Sequence, residues 1–290
     1  MGLTVQALIA AFGGGLLGAC MGGLPTITLW GAVLMIAGTA NVATGNAEVL
    51  WAFGFNPLIG AQCAFIGGAS AACYAWRIKR LPSGQDISKP LSSLQRVDVL
   101  CFGGIAGVLG LCVQSLGEYF QIPTDNVALS VVVIGWLTRF ALDPHWLSSR
   151  KEALKNTEGY CGFFPKGKDL ATLLFMGFFI GFGGGLASYM MGNNMILFGL
   201  ALVFIIYIQT GFGGYTWHHM VLIGSTIGVQ TGGSLYGLFW AGIMAAVTGV
   251  ICRCIENLTM PGTNSYIDPP VTSIAIGTSL TILITSLGII

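Results

Sequence analysis

Charged residues are scarce in this sequence. Asp, Glu, Lys and Arg together make up 8% of the 290 residues, whereas hydrophobic residues make up 54% and the mean hydropathy is +0.79. A soluble domain carries about 25% charged residues, because water must solvate its surface. The composition therefore excludes an ordinary soluble domain and predicts an integral membrane protein.

Sequence motifs of enzymes and nucleotide-binding proteins are also absent. The chain has no HExxH or GxSxG motif, and its glycine triplets lack the lysine that follows a phosphate-binding loop. Cys252 and Cys254 form a C-x-C pair, but none of the eight cysteines has a ligand spacing with histidine. We therefore expect no enzymatic activity, no cofactor, no metal site and no nucleic-acid partner.

Apolar runs dominate what is present. Their lengths suit helices that cross about 30 Å of hydrocarbon at 1.5 Å per residue. We predict an all-α polytopic membrane protein with about ten transmembrane helices. The first run begins at Leu3 without a basic region or a cleavage site, so we expect a true span and not a signal peptide. The predicted spans are near residues 3–22, 26–43, 58–77, 98–117, 126–142, 170–190, 195–210, 220–236, 239–254 and 268–289.

The twelve lysines and arginines are distributed unevenly along the chain. They follow predicted spans three and five, and Arg253 ends span nine. With ten spans and an outside N-terminus, all twelve fall on the cytoplasmic side, as the positive-inside rule requires. We therefore expect a protein of the cytoplasmic (plasma) membrane with both termini outside.

The two halves of the sequence resemble each other in order. "FGGGLLGACMGG" at Phe12 is matched by "FGGGLASYMMGN" at Phe182, and "GIAGVLGLCVQSLGEYFQIPTDN" at Gly104 parallels "GIMAAVTGVICRCIENLTMPGTNSYIDPP" at Gly242. Because each copy holds five spans, the second copy enters the membrane from the opposite side. We predict two inverted five-helix repeats, residues 1–142 and 170–290, joined by a cytoplasmic linker at 143–169.

Each repeat carries a glycine triplet near the middle of its first span. Glycine costs about 1 kcal/mol relative to alanine inside a helix, so three together favour local unwinding. Interrupted spans at matching positions of inverted halves indicate a substrate site. The alternative is a continuous helix whose glycines permit a tight crossing. The predicted substrate-binding residues are Gly13, Gly14, Gly15, Gly183, Gly184 and Gly185, with Ser70 and Ser234 beside them from matched third spans.

Acidic residues occupy two further pairs of matched positions. Asp125 and Asp268 begin the last span of each repeat, either as ordinary N-caps or as substrate-binding groups at helix N-termini that point into the membrane. Glu118 and Glu256 end spans four and nine and are candidates for ion coupling, with an interfacial structural role as the alternative. His218 and His219 start span eight, where an aromatic-belt position and a proton relay are both open.

A transporter or channel for a small polar solute or ion is the function that this organisation favours. The site is expected between the inverted repeats, along glycine-interrupted helices. The alternative is a non-transporting membrane subunit that anchors or scaffolds a larger complex. The expected partners are the lipid bilayer and the solute, and the composition is compatible with a homo-oligomer or a membrane complex.

Overall fold

The computed structural model describes residues 3–155, 162–212 and 214–290. Every regular element in these residues is a helix, as the composition predicts. A π-helical turn, Leu50–Gly54, follows the third helix, and a 3-10 turn, Leu91–Leu94, precedes the fifth. The α-helices are α1 (Val5–Met21), α2 (Gly23–Thr44), α3 (Ala47–Val49), α4 (Ala64–Arg77), α5 (Val97–Tyr119), α6 (Asn126–Leu142), α7 (Trp146–Lys155), α8 (Gly167–Met191), α9 (Asn194–Val203), α10 (Ile206–Gln209), α11 (His218–Gln230), α12 (Leu235–Thr259) and α13 (Pro269–Ser286).

Five helices in the described residues, α2, α5, α8, α12 and α13, are long and apolar enough to cross a membrane. Helices α6 and α7 meet the same criterion only as a pair, and the chain bends by 89° between them. Helix α1 and the segment Asn194–Gln209 are apolar but shorter. Length and composition therefore support five spans, or six with the bent pair, and are compatible with insertion into a membrane.

Two of the predicted spans are shorter than the sequence suggests. Helix α4 begins at Ala64, because the preceding residues 55–63 form turns in which the Asn56 side chain accepts a hydrogen bond from the Leu58 N–H at 3.0 Å. Helix α11 ends at Gln230, and Gly232 and Gly233 follow it with positive φ angles. The predicted linker also differs, because it contains α7 and the start of α8.

The helices of the first half pack on one another in the same pattern as those of the second half. Helix α1 packs against α4 and α5, as α8 packs against α11 and α12. Helix α6 packs on α4 and α5, as α13 packs on α11 and α12. The main contacts between the halves are α2 with α9 and α6 with α13. Each contact joins two helices of the same rank, meaning that they occupy corresponding places in the order of the two halves.

Helices α2 and α9 cross in antiparallel directions. A Cβ atom on Gly31 would collide with the carbonyl oxygen of Gly199, and one on Gly199 would collide with that of Gly31. Further along α2, Asn41 accepts a hydrogen bond at 2.8 Å from the amide of Asn193, which lies before Gly199 in the chain. The two helix backbones therefore touch where both residues are glycine.

Helices α6 and α13 are also antiparallel. The Thr124 hydroxyl, just before α6, donates to the carbonyl of Ala275 within α13 at 2.8 Å. Near the other end of α6, the Arg139 Nε donates to the Ser265 hydroxyl, just before α13, at 2.7 Å. Each helix therefore begins beside the middle or the far end of its neighbour, and not at a common surface.

Arg139 of α6 binds the segment before α13 through hydrogen bonds to Ser265. It is fully buried, and its Nη2 donates to the Ser265 carbonyl at 2.7 Å. Its guanidinium lies 5.4 Å from the Trp136 ring and 5.3 Å from the Trp146 ring. Asp143 accepts from the Ser265 hydroxyl at 2.9 Å. These contacts compensate for the cost of burying the charge.

Helices α1 and α8 run unbroken through both glycine triplets, so the expected interruption is wrong. The glycines instead permit close helix crossings, which offset their helix-propensity cost. A Cβ on Gly15 would collide with the carbonyl oxygen of Gly103 in α5, and one on Gly185 would lie 2.9 Å from that of Gly224 in α11.

Replacing Gly15 by alanine should destabilise the protein by about 1 to 3 kcal/mol, because α1 and α5 must move apart. Gly13→Ala is the matched control in the same triplet, since its Cβ would meet only the Leu58 side chain at 3.7 Å. That variant should be neutral or gain up to about 1 kcal/mol of helix propensity. Thermal unfolding of the detergent-solubilised chain measures both, and equal midpoints would contradict the crossing as the reason for the triplet.

Candidate functional site

A cavity of about 170 Å³ lies between the two halves. Its walls come from α2, α4, α6, α9, α10, α11 and α13, and from the irregular segments that precede α4 and α11. The space is enough for a small solute or several water molecules. We call it the central cavity.

The residues that line the central cavity occur in pairs from corresponding helices. Trp30 and Phe198 each precede the glycine of the α2–α9 crossing, and their ring centroids lie 5.9 Å apart in an edge-to-face arrangement. On the other pair of helices, Asp125, Val127, Ala128 and Val131 of the α6 start line the cavity, at the same steps as Asp268, Pro270, Val271 and Ile274 of the α13 start. The cavity wall is therefore built twice from the same positions.

Asp125 and Asp268 are the N-caps of α6 and α13, and both line the central cavity. Asp125 accepts a hydrogen bond from the Ala128 N–H at 2.9 Å, and Asp268 accepts one from the Val271 N–H at 2.7 Å. These bonds satisfy N–H groups that a helix start leaves free. Both aspartates are therefore N-caps and at the same time face an internal cavity. The two interpretations from the sequence do not exclude each other.

The two aspartates stand at different depths in the bundle. The residue before Asp125 contacts Ala275, which follows Asp268 by seven residues along α13. At 1.5 Å per residue, the two helix starts are therefore separated by about 10 Å along the helix axis. No lysine or arginine is among the described residues that line the central cavity.

Three further cavities share lining residues with the central one. The first flanking cavity, of about 680 Å³, shares Asp125 and Phe55 with the central cavity. The second flanking cavity, of about 380 Å³, shares Tyr266 and Pro270 with it. A side cavity of about 440 Å³, between α11 and α13, shares Asp125 and Leu222 with it.

Glu118 and Glu256 lie in the flanking cavities and not in the central one. Glu118 lines the first and accepts a hydrogen bond from the Gln114 side chain at 2.8 Å. Glu256 lines the second and pairs with Arg253 at 2.6 Å. Each predicted glutamate thus lines a flanking cavity beside the start of α6 or α13, and the two glutamates lie in different cavities.

Arg253 organises the mouth of the second flanking cavity. It also contacts Asp169 at 3.3 Å, and its guanidinium lies 5.1 Å from the Tyr215 ring. The Tyr215 hydroxyl donates a hydrogen bond to Asp169, and this bond raises the pKa of the Tyr215 phenol. The second flanking cavity therefore carries a network of ion pairs around Arg253, whereas no basic residue is among the described residues that line the first.

The glycine triplets and the two predicted serines do not line the central cavity or the two flanking cavities. Ser70 lies within α4, where its hydroxyl is 3.0 Å from that of Thr138. Ser234 is the N-cap of α12 and accepts from the Gly237 N–H at 3.1 Å. The predicted equivalence of Ser70 and Ser234 is wrong, because α11 ends before Ser234 and the two residues occupy different elements.

Contacts with the first helix of each half give a better register for α4 and α11. Gly67 of α4 packs on Gly15 of α1, and Gly224 of α11 packs on Gly181 of α8. In this register Ile66 and Gly67 correspond to Ile223 and Gly224. The two halves thus share an Ile-Gly dipeptide at a helix crossing.

The starts of α4 and α11 supply cavity residues that the sequence interpretation did not include in the site. Ala61 and His218 both line the central cavity, and His218 precedes Gly224 by as many residues as Ala61 precedes Gly67. The available signal was Pro57 and Gly60 before α4, and the glycine-rich stretch 211–214 before α11. In the described residues, irregular chain therefore precedes α4 and α11, whereas α1 and α8 are unbroken.

These features define an all-helical protein with several helices suited to crossing a membrane and a cavity between its halves. Residues 1–161 match the family described as Family of unknown function (DUF7973). Because the match covers more than half of the chain, the protein belongs to this family. No curated protein and no solved structure matches the chain.

Removing the cap of α13 by Asp268→Ala should destabilise the protein by about 1 kcal/mol, because the Val271 N–H loses its acceptor. Asp268→Asn keeps a side-chain oxygen at this position and should unfold within a few tenths of a kcal/mol of the unchanged protein. Thermal unfolding in detergent compares the two. A loss of stability as large for asparagine as for alanine would show that charge, and not capping, holds Asp268 in place.

Proposed function

We propose that the protein is an integral membrane transporter or channel for a small polar solute or ion. Its ten spans form two inverted five-helix repeats, residues 1–142 and 170–290, around the central cavity. The observation that carries the proposal is the central cavity together with the two cavities that flank it, since both helix-capping aspartates line the central one. Each carboxylate is partly buried in an otherwise apolar bundle, and carboxylates at such positions are candidates for binding a ligand.

The helix contacts support inverted repeats. Both main contacts between the halves join helices of the same rank, and both pairs are antiparallel. A two-fold axis in the membrane plane relates two copies in this way, and it leaves a shared cavity on the axis. The paired lining residues of the central cavity agree with such an axis.

The two flanking cavities support a path from one side of the membrane to the other. They meet the central cavity at the starts of α6 and α13, which run in opposite directions. Leu111, Gln114 and Glu118 line the first flanking cavity at the spacing with which Gly249, Cys252 and Glu256 line the second. A solute that crosses would meet equivalent positions in reverse order.

The charges of the lining favour a cation as the solute. Each helix start directs a partial positive charge of about half an elementary charge toward the cavity, and its aspartate outweighs that charge. Trp30 and Phe198 add aromatic faces that attract cations. With the twelve basic residues on the cytoplasmic side, both termini lie outside a plasma membrane.

A non-transporting scaffold subunit is the second candidate, and the unbroken helices at the glycine triplets favour it. Tight crossings at Gly15 and Gly185 are what a scaffold needs. A scaffold, however, accounts for the two aspartates only as N-caps and assigns no role to the space between them. The transport proposal accounts for both features, since the crossings form each half and the cavity lies between the halves.

Reconstitution of the full chain in liposomes tests the proposal with Na⁺, K⁺, methylammonium and urea as probes. We expect a monovalent cation to cross faster than in protein-free liposomes. The double variant Asp125→Asn, Asp268→Asn keeps both caps and should lower cation flux at least about tenfold, because each carboxylate–cation contact contributes roughly 3 kcal/mol at an effective dielectric constant of about 20.

Glu48→Gln is the matched control, because it removes an exposed carboxylate outside the central and flanking cavities. Its flux should equal that of the unchanged protein. If no probe crosses faster than in protein-free liposomes, although the chain is folded, transport of these solutes is excluded and the scaffold candidate is preferred.

A further inference from the structure

His218 and His219 form a buried pair at the start of α11. Their side chains are 6% and 1% exposed, and their ring centroids lie 5.6 Å apart. Nδ1 of His218 and both ring nitrogens of His219 have no hydrogen-bond partner among the described residues. A buried polar atom without a partner costs about 1 to 3 kcal/mol, so three in adjacent rings point to a role beyond packing.

The two rings face different cavities. His218 lines the central cavity, and His219 lines the second flanking cavity. The wall between these cavities also includes Thr216, Tyr266 and Pro270, which line both. The imidazole pair therefore connects the two spaces through the wall that divides them.

The first half has no such pair. In the register set by Gly67 and Gly224, Ala61 corresponds to His218 and Gln62 corresponds to His219. Neither alanine nor glutamine titrates, yet α4 packs on α1, α5 and α6 as α11 packs on α8, α12 and α13. In this register α4 starts three residues later than α11, so Ala61 and Gln62 lie in the turn before the helix. This packing does not require histidine, and the pair is a feature of one end of the proposed path.

We propose that His218 and His219 carry protons between the second flanking cavity and the central cavity, so that H⁺ is the coupling ion. This inference rests on the proposed transport function. Imidazole suits the role because it holds a donor and an acceptor nitrogen and changes charge near neutral pH. The inference resolves the two interpretations of this pair in favour of the relay.

The transfer balances without any oxidant or reductant. A ring nitrogen of His219 takes a proton from water in the second flanking cavity, and the other nitrogen of the same ring releases one toward His218. His218 accepts that proton on one nitrogen and releases another to water or to the Asp268 carboxylate in the central cavity. Each ring ends neutral in the opposite tautomer and returns by proton exchange or ring rotation.

Charged and titratable groups face the pair from the elements around it. In the central cavity, the titratable groups that line the same space as His218 are Asp125, Asp268 and Tyr266. In the second flanking cavity, Glu256 and Arg253 are the charged groups that line the same space as His219. The remaining titratable groups there are Tyr215, Cys252 and Tyr266.

Selective ¹⁵N labelling of histidine tests the relay directly, because the chain has only three histidines. Between about pH 5 and 8, we expect each of the two rings to exchange between its tautomers and to respond to substitution of the other ring. Exposed His145 is the internal reference. If both buried rings keep one tautomer over this range, and His219→Gln leaves the His218 signal unchanged, the relay is overturned.

Variants that copy the first half supply the second readout. His218→Ala and His219→Gln introduce the residues found at Ala61 and Gln62, so both should fold. In liposomes that contain a pH-sensitive dye, we expect each to lower the proton flux that accompanies cation transport about a hundredfold or more.

The same liposomes separate failure of the relay from failure of transport. Cation flux that continues in His219→Gln with an unchanged pH dependence overturns the relay and leaves the transport function in place. Absence of flux for every probe in the unchanged protein overturns transport, and with it H⁺ coupling.

Discussion

The free N–H groups of α6 and α13 impose the constraint on which the site depends. Both helices start beside the central cavity, and each start needs acceptors for its free N–H groups. Asp125 and Asp268 each supply one, and each brings a carboxylate to the central cavity. The cavity cannot close over these groups without burying uncompensated charge. Capping and an internal polar space are therefore two consequences of one local requirement.

Close helix crossings explain how such a space survives in a well-packed protein. In the first half, glycines let three helices touch at backbone distance, at Gly15 of α1, Gly67 of α4 and Gly103 of α5. In the second half, Gly181 and Gly185 of α8 touch Gly224 of α11, and Ala241 makes the contact from α12. The halves meet mainly along α2–α9 and α6–α13, so the less tightly packed volume collects between them. The arrangement gives two stiff bodies with a common cavity.

Local sequence signals predict which segments are helical, whereas long-range contacts determine the packing register and the position of the cavity. The bounds of α6 are confirmed at 126–142, because Asp125 is a strong N-cap and the apolar run ends at Asp143. The start of α4 was missed, since hydropathy does not register that Pro57 and Gly60 turn the chain within an apolar run. Aligning the glycine triplets placed Gly13 against Gly183, whereas the crossings pair Gly15 with Gly181, because packing acts on helix faces and not on identical letters. The aspartates are predictable because capping leaves a local signature, whereas the cavity position of His218 depends on long-range contacts, so the sequence leaves its aromatic-belt and relay interpretations open.

A symmetric pair of repeats has no preferred direction, so direction has to come from positions where the halves differ. Most lining pairs differ only in apolar shape, such as Trp30 with Phe198. The pairs that differ in chemistry lie at one end: histidine replaces Ala61 and Gln62, and Arg253 joins Glu256. A proton gradient acts only on groups that titrate, so it can distinguish the second flanking cavity from the first. In the proposed transport function, the symmetry of the fold thus provides the path, and the asymmetry at the start of α11 gives that path a direction.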